Sequence, residues 1–142
     1  MDLQIRNLQT RPVETQAFAR IAERVLAAVF GAEGRRLDAL GLVFVDDERM
    51  REMNLAYRGL DAPTDVLSFE AEEDEERQIC GEIIIAMPTA ARQAEAAGHS
   101  LERELAWLFA HGLLHVLGHD DESESGLEAM IARQHQALAL PS

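Results

Sequence analysis

The sequence predicts one α+β domain in which helices pack on a mixed sheet of about four strands. Its 142 residues, 47% of them hydrophobic, suit a single domain with a single core. Segments with strand-like and helix-like hydrophobic periodicity are intermixed without the strict alternation of a parallel α/β fold. The chain contains no internal repeat and no linker rich in proline, glycine or serine. We therefore expect residues 1–142 to form one domain.

The first half of the chain predicts a strand, a helix, a second strand and a second helix, in that order. Residues 2–7 alternate apolar and polar side chains, whereas residues 14–30 repeat apolar side chains at helical spacing. The apolar run from Leu42 to Val45 is short and ends at two aspartates, as a buried strand does. The apolar positions that follow predict a helix ending near Gly59.

Two further strands are predicted at Val66–Phe69 and Ile83–Ile85. Between them, the segment Glu70–Glu76 contains six acidic residues in seven, which predicts a solvated loop. Cys80 precedes the second of these strands and is expected to be a small buried hydrophobic residue.

Three helices complete the expected fold. Pro88 stands at a plausible first helical position of residues 88–97, and Ser100 is placed to cap a longer helix after them. Trp107 lies in that longer helix at a spacing typical of core residues rather than of a base-stacking surface. The final helix is predicted over Glu124–Leu138.

The charge balance restricts the possible partners. Thirteen arginines oppose 26 acidic residues, so the net charge of −13 works against broad electrostatic attraction to nucleic acid or anionic lipid. If the protein handles RNA, recognition must be local. The single cysteine excludes an intramolecular disulfide and a four-cysteine zinc site. No export signal or membrane-spanning run is recognisable, so the cytoplasm is the expected compartment.

A pair of histidines in an apolar helical segment predicts a metal site. His111 and His115 are four positions apart, so their imidazoles share one helix face and lie about 6 Å apart along the axis. A catalytic zinc ion takes three protein ligands and keeps one position open. A straight helix would carry residue 121 away from that face, but Gly118 could reverse the chain. The third ligand would then be Asp121 or His119.

The same segment bears on the type of hydrolase. Its histidine spacing, with Gly118 three positions after the second histidine, is that of the extended zincin motif. Zinc peptidases place a glutamate general base directly after the first histidine, whereas this chain has Gly112 there. A metalloprotease is therefore disfavoured. The simplest alternative to a metal site is a pair of histidines buried in a core helix.

The sequence HGLLHVLGHDD, from His111 to Asp121, resembles the signature of the YbeY family of bacterial endoribonucleases. YRGLDAPTDVLSF, which starts at Tyr57, and GHSLERELAWLFAHG, which starts at Gly98, extend the resemblance over roughly residues 41–138. The resemblance implies one α+β domain, one zinc ion on three ligands, and hydrolysis of single-stranded RNA. It also implies roles in 3′ end maturation of small-subunit ribosomal RNA and in ribosome quality control. The implied partners are ribosomal RNA and, as a further candidate, small-subunit ribosomal proteins.

The resemblance also assigns site residues. His111 and His115 match the family's ligands, and His111 is implied to be catalytic as well. The third histidine of the family falls at position 121, where this chain has Asp121. Because a carboxylate oxygen is an ordinary zinc donor, we predict Asp121 as the third ligand, with His119 as the alternative. Asp120 matches the family and is expected to support a ligand or cap a helix.

Arg58 is marked by the resemblance as important for catalysis, with the role of clamping phosphate. Without the resemblance, a surface arginine at the carboxyl end of a helix would explain it. Turn formation and side-chain capping account for Thr64, Asp65 and Ser68, so no chemistry is assigned to them. Two rival functions remain open: a metalloprotease-like zinc hydrolase, and a ribosome-binding factor with a structural metal and no turnover.

Overall fold

The computed structural model describes residues 1–138, which form four strands and five helices. Along the chain these are β1 (Asp2–Asn7), α1 (Thr15–Glu33), β2 (Ala39–Val45), α2 (Asp47–Arg58), β3 (Val66–Glu73), β4 (Ile79–Ala86), α3 (Met87–Ala97), α4 (Leu101–Val116) and α5 (Glu124–Leu138). The strand order is β1-β2-β4-β3. β1, β2 and β4 run parallel, and β3 is antiparallel to β4 at the edge of the sheet. The predicted α+β class and mixed four-stranded sheet are confirmed.

Side-chain caps define where two of the helices begin. The Asp46 carboxylate accepts a hydrogen bond of 2.7 Å from the backbone N–H of Arg49 at the start of α2. The Ser100 hydroxyl accepts one of 3.1 Å from the backbone N–H of Arg103, which confirms the predicted cap of α4. Each bond satisfies a backbone donor that the first helical turn leaves without a partner. None of the helices in the described part of the chain is both long and apolar enough to span a bilayer.

The hairpin of β3 and β4 departs from the sequence prediction. β3 continues through Glu73, so the prediction of a loop over Glu70–Glu76 is wrong for its first four residues. The strand forms in spite of its acidic composition because it pairs with β4. The pairing has a register shift between Phe69 and Glu72. Cys80 lies on β4 and is only half-buried, so the prediction that it is buried is also wrong.

The sheet separates two hydrophobic clusters because neighbouring residues of a strand point to opposite faces. The larger cluster joins one face of β2 and β4 to α1, α4 and α5, and it includes Leu42, Phe44, Ile83 and Ile85. The smaller cluster joins the other face to α2 and includes Val43, Val45 and Met50. Helix α4 lies in the larger cluster, and most of its residues are buried. The predicted site is therefore carried by the most enclosed helix of the fold.

Gly112 allows α4 to lie close to the sheet. A Cβ atom at this position would stand 2.8 Å from Cγ2 of Ile83 and 3.2 Å from Cγ2 of Val66. The first distance is shorter than van der Waals contact, so any side chain here would push the helix away from β3 and β4. The position therefore faces the core, and a glutamate could not occupy it without displacing the helix.

Gly112→Ala should lower the free energy of unfolding of the metal-free protein by about 1–3 kcal/mol, because the added methyl overpacks the contact with Ile83. Gly31→Ala is the matched control, since a Cβ there meets nothing within 4 Å and alanine is the better helix former. The control should be neutral or stabilising in urea denaturation. Equal stability of the two variants would contradict the close approach of α4.

Candidate metal centre

Helix α4 places two imidazole rings at the edge of an open cleft. The ring centroids of His111 and His115 are 4.8 Å apart, with their planes inclined at 75°. The side chains are 19% and 28% exposed, so they are neither fully buried nor fully solvated. The alternative of two histidines enclosed in a core helix does not describe this arrangement, because both rings reach the cleft.

The chain reverses directly after α4 and returns an acidic side chain to the two rings. Gly118 adopts a φ of 98°, a conformation that a residue with a side chain rarely takes. The N–H of His119 donates to the carbonyl of Leu114 at 3.0 Å, which closes the end of the helix. Oδ2 of Asp121 then lies 3.2 Å from Nε2 of His115 and 3.4 Å from Nε2 of His111. The reversal predicted at Gly118 is therefore present.

The three side chains form a compact set of donor atoms. One potential ligand atom from each of His111, His115 and Asp121 lies within 4.8 Å of the others. Partial burial opposes ionisation of the Asp121 carboxyl, but charge interaction and hydrogen bonding with His115, together with the charge of His111, lower its pKa below the ordinary value. The carboxylate is thus kept in the form that can bind a cation.

His119 points away from this cluster. Its Nε2 is hydrogen-bonded to Oε1 of Glu33, the last residue of α1. From the same region, the Arg35 guanidinium donates to the carbonyl oxygen of Leu117. The end of α1 and the segment directly after it therefore contact the reversal on both sides of Gly118. In this arrangement, Asp121 and not His119 stands beside the two imidazoles.

A polar cleft of about 290 Å³ opens in front of the cluster. Arg58, the last residue of α2, lines the same cleft and is exposed. No ion pair involving this arginine occurs within residues 1–138, whereas Arg51 on the same helix pairs with Glu48 and Asp61. The guanidinium is therefore available to an anion that enters the cleft.

Edge strand β3 and the two residues before it also line the cleft, although the sequence prediction assigned them no chemistry. Thr64, Asp65 and Ser68 all line it. Asp65 has a structural role as well, because its Oδ1 accepts a hydrogen bond of 2.8 Å from the N–H of Val66 at the start of β3. Strand alternation was the available signal, since Val66 and Ser68 lie on one face of β3 and Val66 approaches Gly112.

Two smaller expectations have different outcomes. Asp120 does not cap α5: its Oδ1 accepts from the N–H of Glu122 within the loop, and the hydroxyl of Ser123 accepts from Gly126 instead. Trp107 packs partly buried against the larger hydrophobic cluster, as expected, and its ring also contacts His135. Sequence patterns did not indicate Glu33, Arg35 or the buried Gln134, because these residues are distant from the motif in sequence.

The fold and the cluster define a class of protein: a single α+β domain with a two-histidine helix beside the edge strand of a mixed sheet. The family model described as endoribonuclease YbeY matches residues 4–140, and the chain belongs to this family.

Similar proteins bear the name of this family, and a solved structure has a similar fold. An endoribonuclease YbeY of Moorella thermoacetica is 45% identical and covers 98% of this chain and 96% of its own length. That of Desulforamulus reducens is 40% identical and covers 97% and 95%. A solution structure of a Thermotoga maritima protein is similar with a TM-score of 0.59 and 25% identity, covering 95% of this chain and 88% of that one.

Arg35→Met should loosen the reversal after α4, because it removes the hydrogen bond to the Leu117 carbonyl. The expected loss is about 1 kcal/mol in the free energy of unfolding, since bonds from charged donors are strong but this one is partly solvated. Arg36→Met is the matched control: the neighbouring arginine is also exposed but makes no such bond within residues 1–138. Urea denaturation of both variants measures the difference, and an equal loss would contradict the contact.

Proposed function

We propose that the protein is a zinc-dependent endoribonuclease that cuts single-stranded RNA during maturation of the 3′ end of small-subunit ribosomal RNA and during ribosome quality control. The observation that carries this proposal is the convergence of His111, His115 and Asp121 in a cleft that Arg58 also lines. Membership of the endoribonuclease YbeY family supports RNA as the substrate. Its site of action would be the cytoplasm.

The donor set fits one zinc ion. Two imidazole nitrogens and one carboxylate oxygen are the ligand types of catalytic zinc sites, which take three protein ligands and leave one position open. All three groups border the cleft, so a fourth position would face substrate or solvent. When bound, a zinc ion supplies Lewis acidity to a phosphoryl oxygen and activates water at neutral pH. In this proposal His111 and His115 hold the ion, and Asp121 takes the place of the third histidine of the family.

Arg58 would bind and orient the RNA backbone. A guanidinium presents paired donors that match two oxygens of a phosphate. The net charge of −13 gives no general attraction for RNA, so a local cation at the cleft is required to hold the phosphodiester. The hydroxyls of Thr64 and Ser68, which line the same cleft, could accept or donate hydrogen bonds to the same substrate.

Peptide hydrolysis is a poorer interpretation of the same site. The general base of zinc peptidases follows the first histidine, and this position is Gly112. Because a Cβ atom there would contact Ile83, a side chain at this position would point into the core and not into the cleft. A ribosome-binding factor with a structural metal is the other alternative, and an assay of turnover distinguishes it.

Metal binding should depend on Asp121 and not on His119. His111→Ala and Asp121→Ala are expected to lose bound zinc, because each removes one of three ligands. His119→Ala should retain it, since this side chain contacts Glu33 instead. Equilibrium dialysis with zinc, followed by metal analysis of each purified variant, makes the comparison. Zinc retained by Asp121→Ala and lost by His119→Ala would transfer the third ligand to His119.

Arg58→Ala should leave folding and zinc content unchanged and reduce cleavage of single-stranded RNA by about 100-fold or more, because a phosphate clamp acts on the substrate. Arg49→Ala is the control, as this arginine is exposed on the same helix but does not line the cleft. Labelled ribosomal RNA and casein are offered with and without a chelator. Cleavage of casein, or binding of RNA without cleavage in any metal, would contradict the proposal.

A further inference from the structure

A buried glutamine on α5 contacts one of the two imidazoles from behind. Gln134 is 1% exposed, and its Oε1 lies 3.1 Å from Nδ1 of His111. Its Nε2 donates a hydrogen bond of 3.2 Å to the backbone carbonyl of Trp107, one turn earlier in α4. Both ends of the amide are therefore occupied, and α5 is tied to the helix that carries the site.

The chemistry of these partners fixes the hydrogens between Gln134 and its two neighbours, Trp107 and His111. A backbone carbonyl can only accept, so the amide nitrogen of Gln134 must face Trp107 and the amide oxygen must face His111. The amide oxygen also only accepts, so Nδ1 of His111 must carry the hydrogen. In a neutral imidazole the other nitrogen then keeps its lone pair. That nitrogen, Nε2, is the one that faces Asp121.

We propose that Gln134 is a positioning residue that holds His111 in the Nδ1–H tautomer, so that the lone pair of Nε2 points into the ligand cluster. The inference rests on the proposed function for its purpose, because a ligand with a preset tautomer binds a metal ion more tightly. Loss of a group that accepts a hydrogen bond from the outer N–H of a metal-binding histidine typically weakens metal affinity by about 10- to 100-fold. The tautomer itself requires no metal.

Three substitutions separate this role from simple packing. Gln134→Leu keeps the volume but removes the acceptor, so the tautomer is no longer held. Gln134→Glu keeps an oxygen that accepts from Nδ1–H, and its protonated form keeps a donor for the carbonyl of Trp107, so it should rescue the effect. Met130→Ala is the control for lost stability, because Met130 is buried in the core on the same helix.

Nitrogen-15 spectra of the histidine rings of the metal-free protein, recorded where the rings are neutral, report the tautomer directly. The natural protein, Gln134→Glu and Met130→Ala should show His111 with hydrogen on Nδ1, whereas Gln134→Leu should show a shift toward the Nε2–H form. His99, which is hydrogen-bonded to Glu104, provides an internal reference. An unchanged His111 spectrum in Gln134→Leu would overturn the proposal.

Zinc affinity, measured by competition with a chelating dye, gives the second readout. Gln134→Leu should weaken binding about 10- to 100-fold, and Gln134→Glu and Met130→Ala should stay within about threefold of the natural protein. Equal weakening in Met130→Ala would show that lost stability is the cause and would overturn the inference. If the natural protein binds no zinc, the proposed function fails, while the tautomer measurement still decides the role of Gln134.

Discussion

The seating of α4 on the sheet is the constraint on which the site depends. One helix must present an apolar face to β3 and β4 and an imidazole face to the cleft, and the spacing of its residues achieves both. Gly112 lets the helix approach within contact distance of Ile83, whereas His111 and His115 border the open side. Because a large core holds the helix, the two imidazoles are fixed relative to edge strand β3. The cleft between the imidazoles and β3 therefore has a defined shape.

The third donor, the Asp121 carboxylate, is positioned by contacts to a loop rather than by a helix. Asp121 stands in an irregular segment, which by itself would have many conformations, yet contacts from distant parts of the chain restrict it. Glu33 at the end of α1 and Arg35 directly after it contact the reversal, and Gly118 supplies the backbone conformation. Rigid helix and restrained loop therefore meet at the cluster. This combination brings the donor atoms close together without a disulfide, which a chain with a single cysteine cannot form internally.

Sequence patterns predicted those features of the structure that depend on interactions between residues close together in the chain. The spacing of His111 and His115, the Ser100 cap and the apolar runs of the central strands each depend on neighbouring residues, and each was recognisable in the sequence. The contact of His119 with Glu33 spans 86 positions and that of His111 with Gln134 spans 23 positions, so no local sequence pattern predicts them. The extension of β3 through Glu73 was not predicted for a related reason. Pairing with β4 outweighs an acidic composition that favours a loop. The ligand set and its metal stay predictions.

The position of β3 at the edge of the sheet has a consequence for association between molecules. An edge strand presents unpaired backbone donors and acceptors, to which a strand of another chain can add. Here that strand also carries Glu70, Glu72 and Glu73, and the turn beyond it is acidic. Two copies that approached edge to edge would bring these charges together, and their repulsion opposes strand addition. A wall of the cleft can thus stay open and unpaired without becoming a template for aggregation.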